Sequence, residues 1–157
     1  MSLPIGNDMK FYVNTGTYDT PVWALVGIWK DLTQGDTADE VEVSDRESPF
    51  KKYEPGMVDM PIEGSLSWKT ANANFTLIRN AYIAQTSLDI LILDKLVAEA
   101  TAVGVRMPVK VFSFGSEQAL ADAVSVPVTM KVAYVTELVE SVLTVREPVY
   151  YPLPVEP

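Results

Sequence analysis

The sequence predicts a mainly β fold: an antiparallel β-sandwich or partly closed barrel with one flanking α-helix. Three observations predict it. Most apolar residues recur at every second position, the period of a strand. Only one stretch carries a helical period, and the short strand-like segments follow one another without a βαβ rhythm or an internal repeat. With 157 residues, 48% of them hydrophobic, the chain has the size of one domain and can bury a core.

The elements follow in order. Residues 9–14 are β-rich and end at a turn, Thr15-Gly16-Thr17. Residues 21–31 read as one strand with Val22, Ala24, Val26 and Ile28 on one face and Trp23, Leu25 and Trp29 on the other. A strand apolar on both faces is buried in a sandwich or covered by a second surface. Residues 36–44 alternate more sharply, Val41 and Val43 against Glu40, Glu42 and Ser44, so one face should be wet. Residues 45–60 break the pattern with Pro49, Pro55 and Gly56 and read as a long loop, a length that is usually functional. Strand character returns at residues 62–68, with Ile62, Leu66 and Trp68 on one parity and Glu63, Ser65, Ser67 and Lys69 on the other.

The helix is expected over residues 74–85. Asn72 or Asn74 can cap it by accepting backbone N–H bonds, and Phe75, Ile78 and Tyr82 form its buried stripe. The Leu/Ile run at residues 88–94 reads as a core strand. Residues 95–103 fit either a short helix ended by Gly104 or a loop. Further strands are expected at 108–114, at 126–136 and at 142–146. The second of these alternates Val126, Val128, Met130, Val132 and Tyr134 with Thr129, Lys131 and Thr136. A single domain is therefore expected over residues 1–147, followed by an extended proline-rich tail at 148–157 without a core of its own.

Composition excludes much chemistry. Histidine and cysteine are both absent, which removes His-based triads, cysteine nucleophiles, His/Cys zinc sites and disulfides. Twelve basic residues against 21 acidic ones leave a net charge of −9, the wrong sign for gripping phosphate backbones. No EF-hand spacing, P-loop, dinucleotide fingerprint or nucleophile elbow is present. The carboxylate pairs Asp39/Glu40, Glu40/Glu42 and Asp45/Glu47 read as a solvated face, since Glu40 and Glu42 stand about 7 Å apart on one side of a strand. No catalytic residue, cofactor site or metal site is expected. Residues 1–8 lack a basic region followed by an apolar stretch, so no signal peptide is expected, and the apolar run at 21–29 is too short to cross a bilayer. Cytoplasmic synthesis is the default.

Two features point elsewhere than catalysis. Trp23 and Trp29 share a strand with more apolar surface than one small sandwich covers, so a subunit interface is the expected cover. Acid is also concentrated: Asp31 to Glu63 contain ten acidic residues and three basic ones (Arg46, Lys51, Lys52), most of the chain's net charge. That excess can protect an edge hairpin from unwanted pairing, or repel something negative.

Several features carry a resemblance, in order. They are the Asn14-Thr15-Gly16-Thr17 turn, the Val22-Trp23-Ala24-Leu25-Val26-Gly27 strand, Asp31-Leu32-Thr33, and the acidic Val41-Glu42-Val43-Ser44-Asp45-Arg46-Glu47-Ser48 stretch. The Phe50-Lys51-Lys52-Tyr53-Glu54-Pro55-Gly56 loop, the strand at 62–68, the single helix and the strand at 126–136 complete the layout. In this layout the chain resembles the tail tube (major tail) proteins of long-tailed, non-contractile bacteriophages and related prophages. The proline-rich end lies outside that layout.

The resemblance implies a structural virion protein of the phage tail, made in the host cytoplasm, with no catalysis of its own. Its subunits would form hexameric rings stacked into a helical tube, each lending about four strands to an inner barrel. Roughly 24 strands at about 4.8 Å give a backbone diameter of about 37 Å, room for a duplex. Implied partners are further copies of itself, the tail tip, tape-measure and terminator proteins, and duplex DNA passing without sequence-specific binding during ejection. No membrane is implied. An acidic bore would repel phosphates at short range, with Asp39, Glu40, Glu42 and Glu63 as the lumen candidates. The loop from Arg46 to Met57 would reach the neighbouring ring, Arg46, Lys51 and Lys52 meeting acids there while Phe50 and Tyr53 anchor the contact. The alternative for that loop is an Ω-type surface loop packed on itself. Two rival functions remain: the inner tube of a contractile injection system, and a monomeric β-sandwich module binding a ligand at its tryptophans.

Overall fold

A computed structural model of the chain describes residues 9–98, 101–116 and 124–151. Among them run twelve strands and one helix. The first strands are β1 (Lys10–Asn14), β2 (Trp23–Leu25), β3 (Trp29–Gln34), β4 (Thr37–Glu42), β5 (Tyr53–Asp59) and β6 (Ile62–Ser67). The helix α1 (Ala73–Ala84) is followed by β7 (Leu88–Leu93), β8 (Gly104–Phe114), β9 (Ser125–Val132), β10 (Thr136–Val139), β11 (Val142–Val145) and β12 (Val149–Tyr151). Every strand pairing is antiparallel.

One sheet in the order β2-β1-β7-β8-β9-β6-β3 makes both layers. Its first layer ends on the N-terminal half of β8, where Val105 and Met107 pair with Ile92 and Ile90 of β7. Its second begins on the C-terminal half, where Val111 and Phe114 pair with Met130 and Val128 of β9. Val109 belongs to both, facing Leu88 and Val132. Pro108, which has no N–H to give a ladder, sits at this change of partner. Between the layers lie Phe11, Val13, Ile62, Leu66, Ile90, Met107, Val109, Val111, Val126, Val128 and Met130, all buried.

The helix covers this core. Asn72 caps it, its side-chain oxygen accepting from the N–H groups of Asn74 and Phe75 at 2.9 and 3.3 Å. Phe75, Ile78 and Ala81 point inward, and Gln85 ends the helix in the left-handed region (φ 56°). Phe75 also meets Trp68 and Phe114 edge-on.

Several expectations need correction. Residues 21–31 are two strands, not one. Residues 26–28 cross from one end of the sheet to the other, the Val26 N–H donating to the Phe11 carbonyl and the Ser67 N–H to the Ile28 carbonyl. Trp23 and Trp29 therefore do not share a strand face. Residues 45–60 are not one long loop: Tyr53–Asp59 is β5, paired with β4 through a bulge near Glu40 and Pro55. Both faces of β4 are wet, since all six residues are exposed. The strand expected at 126–136 stops at Val132, and Tyr134 stands 78% exposed rather than in the core. Residues 95–98 and 101–103 form no helix, and 99–100 lie outside the described residues. The start of the expected tail is ordered: β12 adds Val149, Tyr150 and Tyr151 to Arg106, Val105 and Gly104 of β8, and residues 152–157 lie outside the described residues.

Candidate assembly surfaces

The most prominent surface is an arm. β4 and β5 pair with each other and with no other described strand. Gly35 N–H donates to the Pro61 carbonyl at its base, closing the pair where β3 leaves and β6 begins. The tip is held by its own polar groups. Val43 N–H donates to the Lys52 carbonyl, Lys52 N–H to Ser44 Oγ, Glu47 N–H to Asp45 Oδ1, and Phe50 N–H to Ser48 Oγ. These bonds fix the tip's backbone while apolar side chains along the arm stay outside: Phe50 is 74% and Met57 85% exposed, and Tyr53 and Val58 are also exposed. Arg46, Lys51 and Lys52 are exposed beside them, and the described residues give none of the three an ion pair.

The second surface is the outer face of the layer β3-β6-β9-β8. Ladder pairings line up Thr33, Glu63, Thr129 and Ser113 across four strands, then Asp31, Ser65 and Pro127, then Ser67 and Ser125. No described element covers this face, which is built of small hydroxyls with few charges. At the arm end of the same face Lys110 and Lys131 stand directly opposite each other, without an ion pair among the described residues. Of the four acids expected in a lumen, the structure places Glu63 on this face and Asp39, Glu40 and Glu42 on the arm, so it does not bring them together.

The two tryptophans serve separate places. Trp29 packs on the main core and borders an open groove of about 830 Å³ between β1–β2 and β3, the side on which the sheet fails to close. Its indole N–H is buried without a partner. Trp23 packs instead on the outside of the first layer with Tyr12, Leu91, Leu93 and Tyr151. There Arg106 lies 5.0 Å from its ring, donates to both Asp89 oxygens from Nε at 3.1 Å, and also donates to the Tyr18 carbonyl. The guanidinium carbons of Arg106 and Arg146 each sit 4.0 Å from the Tyr18 ring centroid, and Arg146 pairs with Glu137 of β10.

Burial opposes the charge of Arg106, but the Asp89 hydrogen bonds and charge outweigh it and hold the guanidinium pKa above its ordinary value. This cluster ties the turn after β1 to the β10–β11 hairpin. Sequence reasoning missed it because its members lie far apart along the chain. It foresaw β11 in the strand at 142–146 but missed β10 and the turn between them at Glu140 and Ser141, where φ is positive at both residues (49° and 68°). The available signal was a two-residue polar break between Leu138-Val139 and Val142-Leu143.

Among the described residues no three carboxylates converge on a point that could hold a metal ion. No family model and no curated protein matches the sequence. Solved structures do match its fold. The SPP1 tail tube superposes with a TM-score of 0.64 at 18% identity, covering 82% of this chain and 74% of that one. The tail of a gene transfer agent particle, refined with C6 symmetry, gives 0.63 at 15% identity over 82% and 93% of the two chains. The sheath–tube complex of an extracellular contractile injection system gives 0.56 at 14% identity over 80% and 84%. An antiparallel two-layer sheet, one capped helix and a projecting arm thus give this chain the fold of phage tail tube proteins.

Proposed function

We propose that this protein is a structural subunit of a phage-type tail tube, assembling into hexameric rings that stack around a DNA conduit, with no catalysis of its own. The observation that carries this reading is the arm. A hairpin that pairs with no other described strand, yet keeps a hydrogen-bonded tip and exposed Phe50, Tyr53 and Met57, has apolar surface to bury on another molecule. On this reading Arg46, Lys51, Lys52, Phe50 and Tyr53 contact the neighbouring ring.

The hydroxyl-rich face of β3-β6-β9-β8 suits the bore. Small hydroxyls give a smooth wall, Asp31 and Glu63 supply negative charge on it, and Lys110 and Lys131 stand apart from them at its arm end. Asp39, Glu40 and Glu42 border the bore where the arm passes from ring to ring. Trp29 and the groove beside it lie at the open side of the sheet, where an adjacent subunit of the ring would seat, and Trp23 stays with the Arg106 cluster. The tail tip, tape-measure and terminator proteins are the further partners of such a tube, and the virion tail is its place.

Electron microscopy of the purified protein across a concentration series, with and without tail-tip seeds, tests this. Open tubes or six-fold rings support it. Persistent monomers favour a ligand-binding module using the groove at Trp29. The match to a contractile system's tube supports a second reading, an inner tube, and tubes that recruit a sheath protein would select it.

A further inference from the structure

The arm and a second apolar feature lie at opposite ends of the same layer. β3 runs into the arm after Gln34, and the arm returns to β6 at Ile62. β6 ends at Ser67, and Trp68 follows at the far end, 45% exposed. There the Trp68 and Phe75 rings meet edge-on with centroids 5.3 Å apart, and with Thr70, Thr76 and Arg79 they line a cavity of about 230 Å³. A cavity of about 150 Å³ already holds benzene, so this one has room for a phenyl ring.

Charge matches as well as shape. Arg79 lines the cavity and Lys69 lies in sequence between the lining residues Trp68 and Thr70; both are exposed, without an ion pair among the described residues, and the first turn of α1 carries no acid. The arm carries eight acids against three bases between Asp36 and Asp59. Its tip places Asp45 and Glu47 next to the exposed Phe50. From Asp36 to Ser44 the hairpin reaches roughly 25 Å before its turn, against about 20 Å for the length of β6, so the tip can cross from one copy to the next. Contact between opposite ends of identical chains is heterologous, and when directed along the axis of a ring it propagates as a stack.

We infer that Phe50 of one copy seats in the Trp68–Phe75 cavity of a second copy, with Asp45 and Glu47 against Lys69 and Arg79. This contact stacks one ring on the next. It rests on the tube reading and names the surface that the arm engages.

The absence of native cysteine makes the test direct. Phe50→Cys chains are mixed with Thr76→Cys chains under assembly conditions with mild oxidant. Covalent dimers are expected from the mixture, and a ladder from the Phe50→Cys/Thr76→Cys double variant, because a disulfide forms only when Cα atoms approach within about 7 Å. Tyr134→Cys, equally exposed but outside the proposed contact, mixed with Thr76→Cys gives the background. Phe50→Ala, folded by circular dichroism because Phe50 touches little of its own chain, should raise the protein concentration needed for tubes at least tenfold. Tubes from the parent protein with crosslinking at background, or Phe50→Ala tubes at the parent concentration, overturn the inference alone. Parent protein that stays monomeric, with no crosslink from the cysteine pair, overturns the tube reading together with it.

Discussion

The Phe11 and Trp29 rings meet edge-to-face, centroids 5.1 Å apart and planes at 64°, although β1 and β3 lie near opposite ends of the sheet. The sheet has therefore coiled until its two ends nearly touch. What keeps it from closing as a barrel is that β2 and β3 do not pair: the chain itself crosses the gap through residues 26–28. Trp29 is the side chain that fills the seam.

Trp29 can lie there because residue 64 has no side chain. A Cβ on Gly64 would fall 2.3 Å from the Asp31 carbonyl oxygen and 2.8 Å from the Trp29 ring. Gly64→Ala should force β3 off β6 and cost about 1–3 kcal/mol, the usual penalty of overpacking, read as a lower urea midpoint. Phe11→Ala should cost about 3–5 kcal/mol by the cavity it leaves. An unchanged midpoint for Gly64→Ala would show that β3 shifts freely and that the seam is not fixed by Trp29.

The Arg106–Asp89 pair should be the main polar contributor to the first layer. Both side chains are nearly covered, at 11% and 12% exposure, and Arg106 also faces the Tyr18 and Trp23 rings. Asp89→Ala leaves that guanidinium without its carboxylate and should cost about 3 kcal/mol, the low end for a buried pair because some water still reaches it. Its pH signature follows from the sign of the shift. A raised guanidinium pKa contributes stability at every pH below the unfolded-state value and loses it only as pH climbs through the still higher folded value. Arg106 therefore adds no slope between pH 6 and 9, and a chain without histidine has little else to titrate there. Thermal unfolding should give a near-level Tm across that window, and a steep fall would point to an ionisable group outside this cluster.

Period-two patterning identified β6 and most of β9 because each has one dry face and one wet face. Ile62 and Leu66 are fully buried while Glu63 is exposed. The helix was equally legible, since capping by Asn72 and the Phe75–Ile78 stripe are local properties. Residues 21–31 misled because Val26 and Ile28 are as buried in a crossing segment as they would be in a strand, and hydropathy does not report which neighbours a backbone bonds to. Tyr53–Asp59 misled for the opposite reason. Pro55 and Gly56 look like loop residues, yet β5 is an edge strand and Pro55 sits beside its bulge, the two places where a sheet tolerates a missing N–H. The assembly surfaces were visible as an acidic run but not as two separate places, because the separation of Glu63 from Asp39, Glu40 and Glu42 exists only once the sheets are formed.

That separation makes the bore testable. Glu63→Lys changes one exposed side chain in a row of Thr33, Thr129 and Ser113 and should leave folding and tube assembly intact. With Lys110 and Lys131 already on the same face, the added charge should slow DNA release from reconstituted particles and make it depend more steeply on salt. Unchanged release kinetics would place this face outside the conduit.

The arm gives the last prediction. Replacing residues 44–51 by Asn-Gly would join the strands at Val43 and Lys52, which already share a backbone hydrogen bond, through a two-residue turn suited to a hairpin. It removes Arg46, Lys51 and Phe50 together with Asp45 and Glu47, while leaving the β4–β5 ladder, which ends at the Glu42–Tyr53 pair. Since the core contains no residue of the arm, the monomer should unfold at a midpoint within about 0.5 kcal/mol of the parent, the ordinary scale for surface changes. Sedimentation and microscopy should then find rings or monomers in place of tubes. The parent's tubes should in turn shorten as salt rises from 0.15 to 1 M, because screening contracts from about 8 Å to about 3 Å and weakens the contact between the acidic tip and its basic target. Normal tubes from the shortened variant would remove the arm tip from the stacking contact and leave the open side of the sheet, at Trp29, as the surface on which assembly must rest.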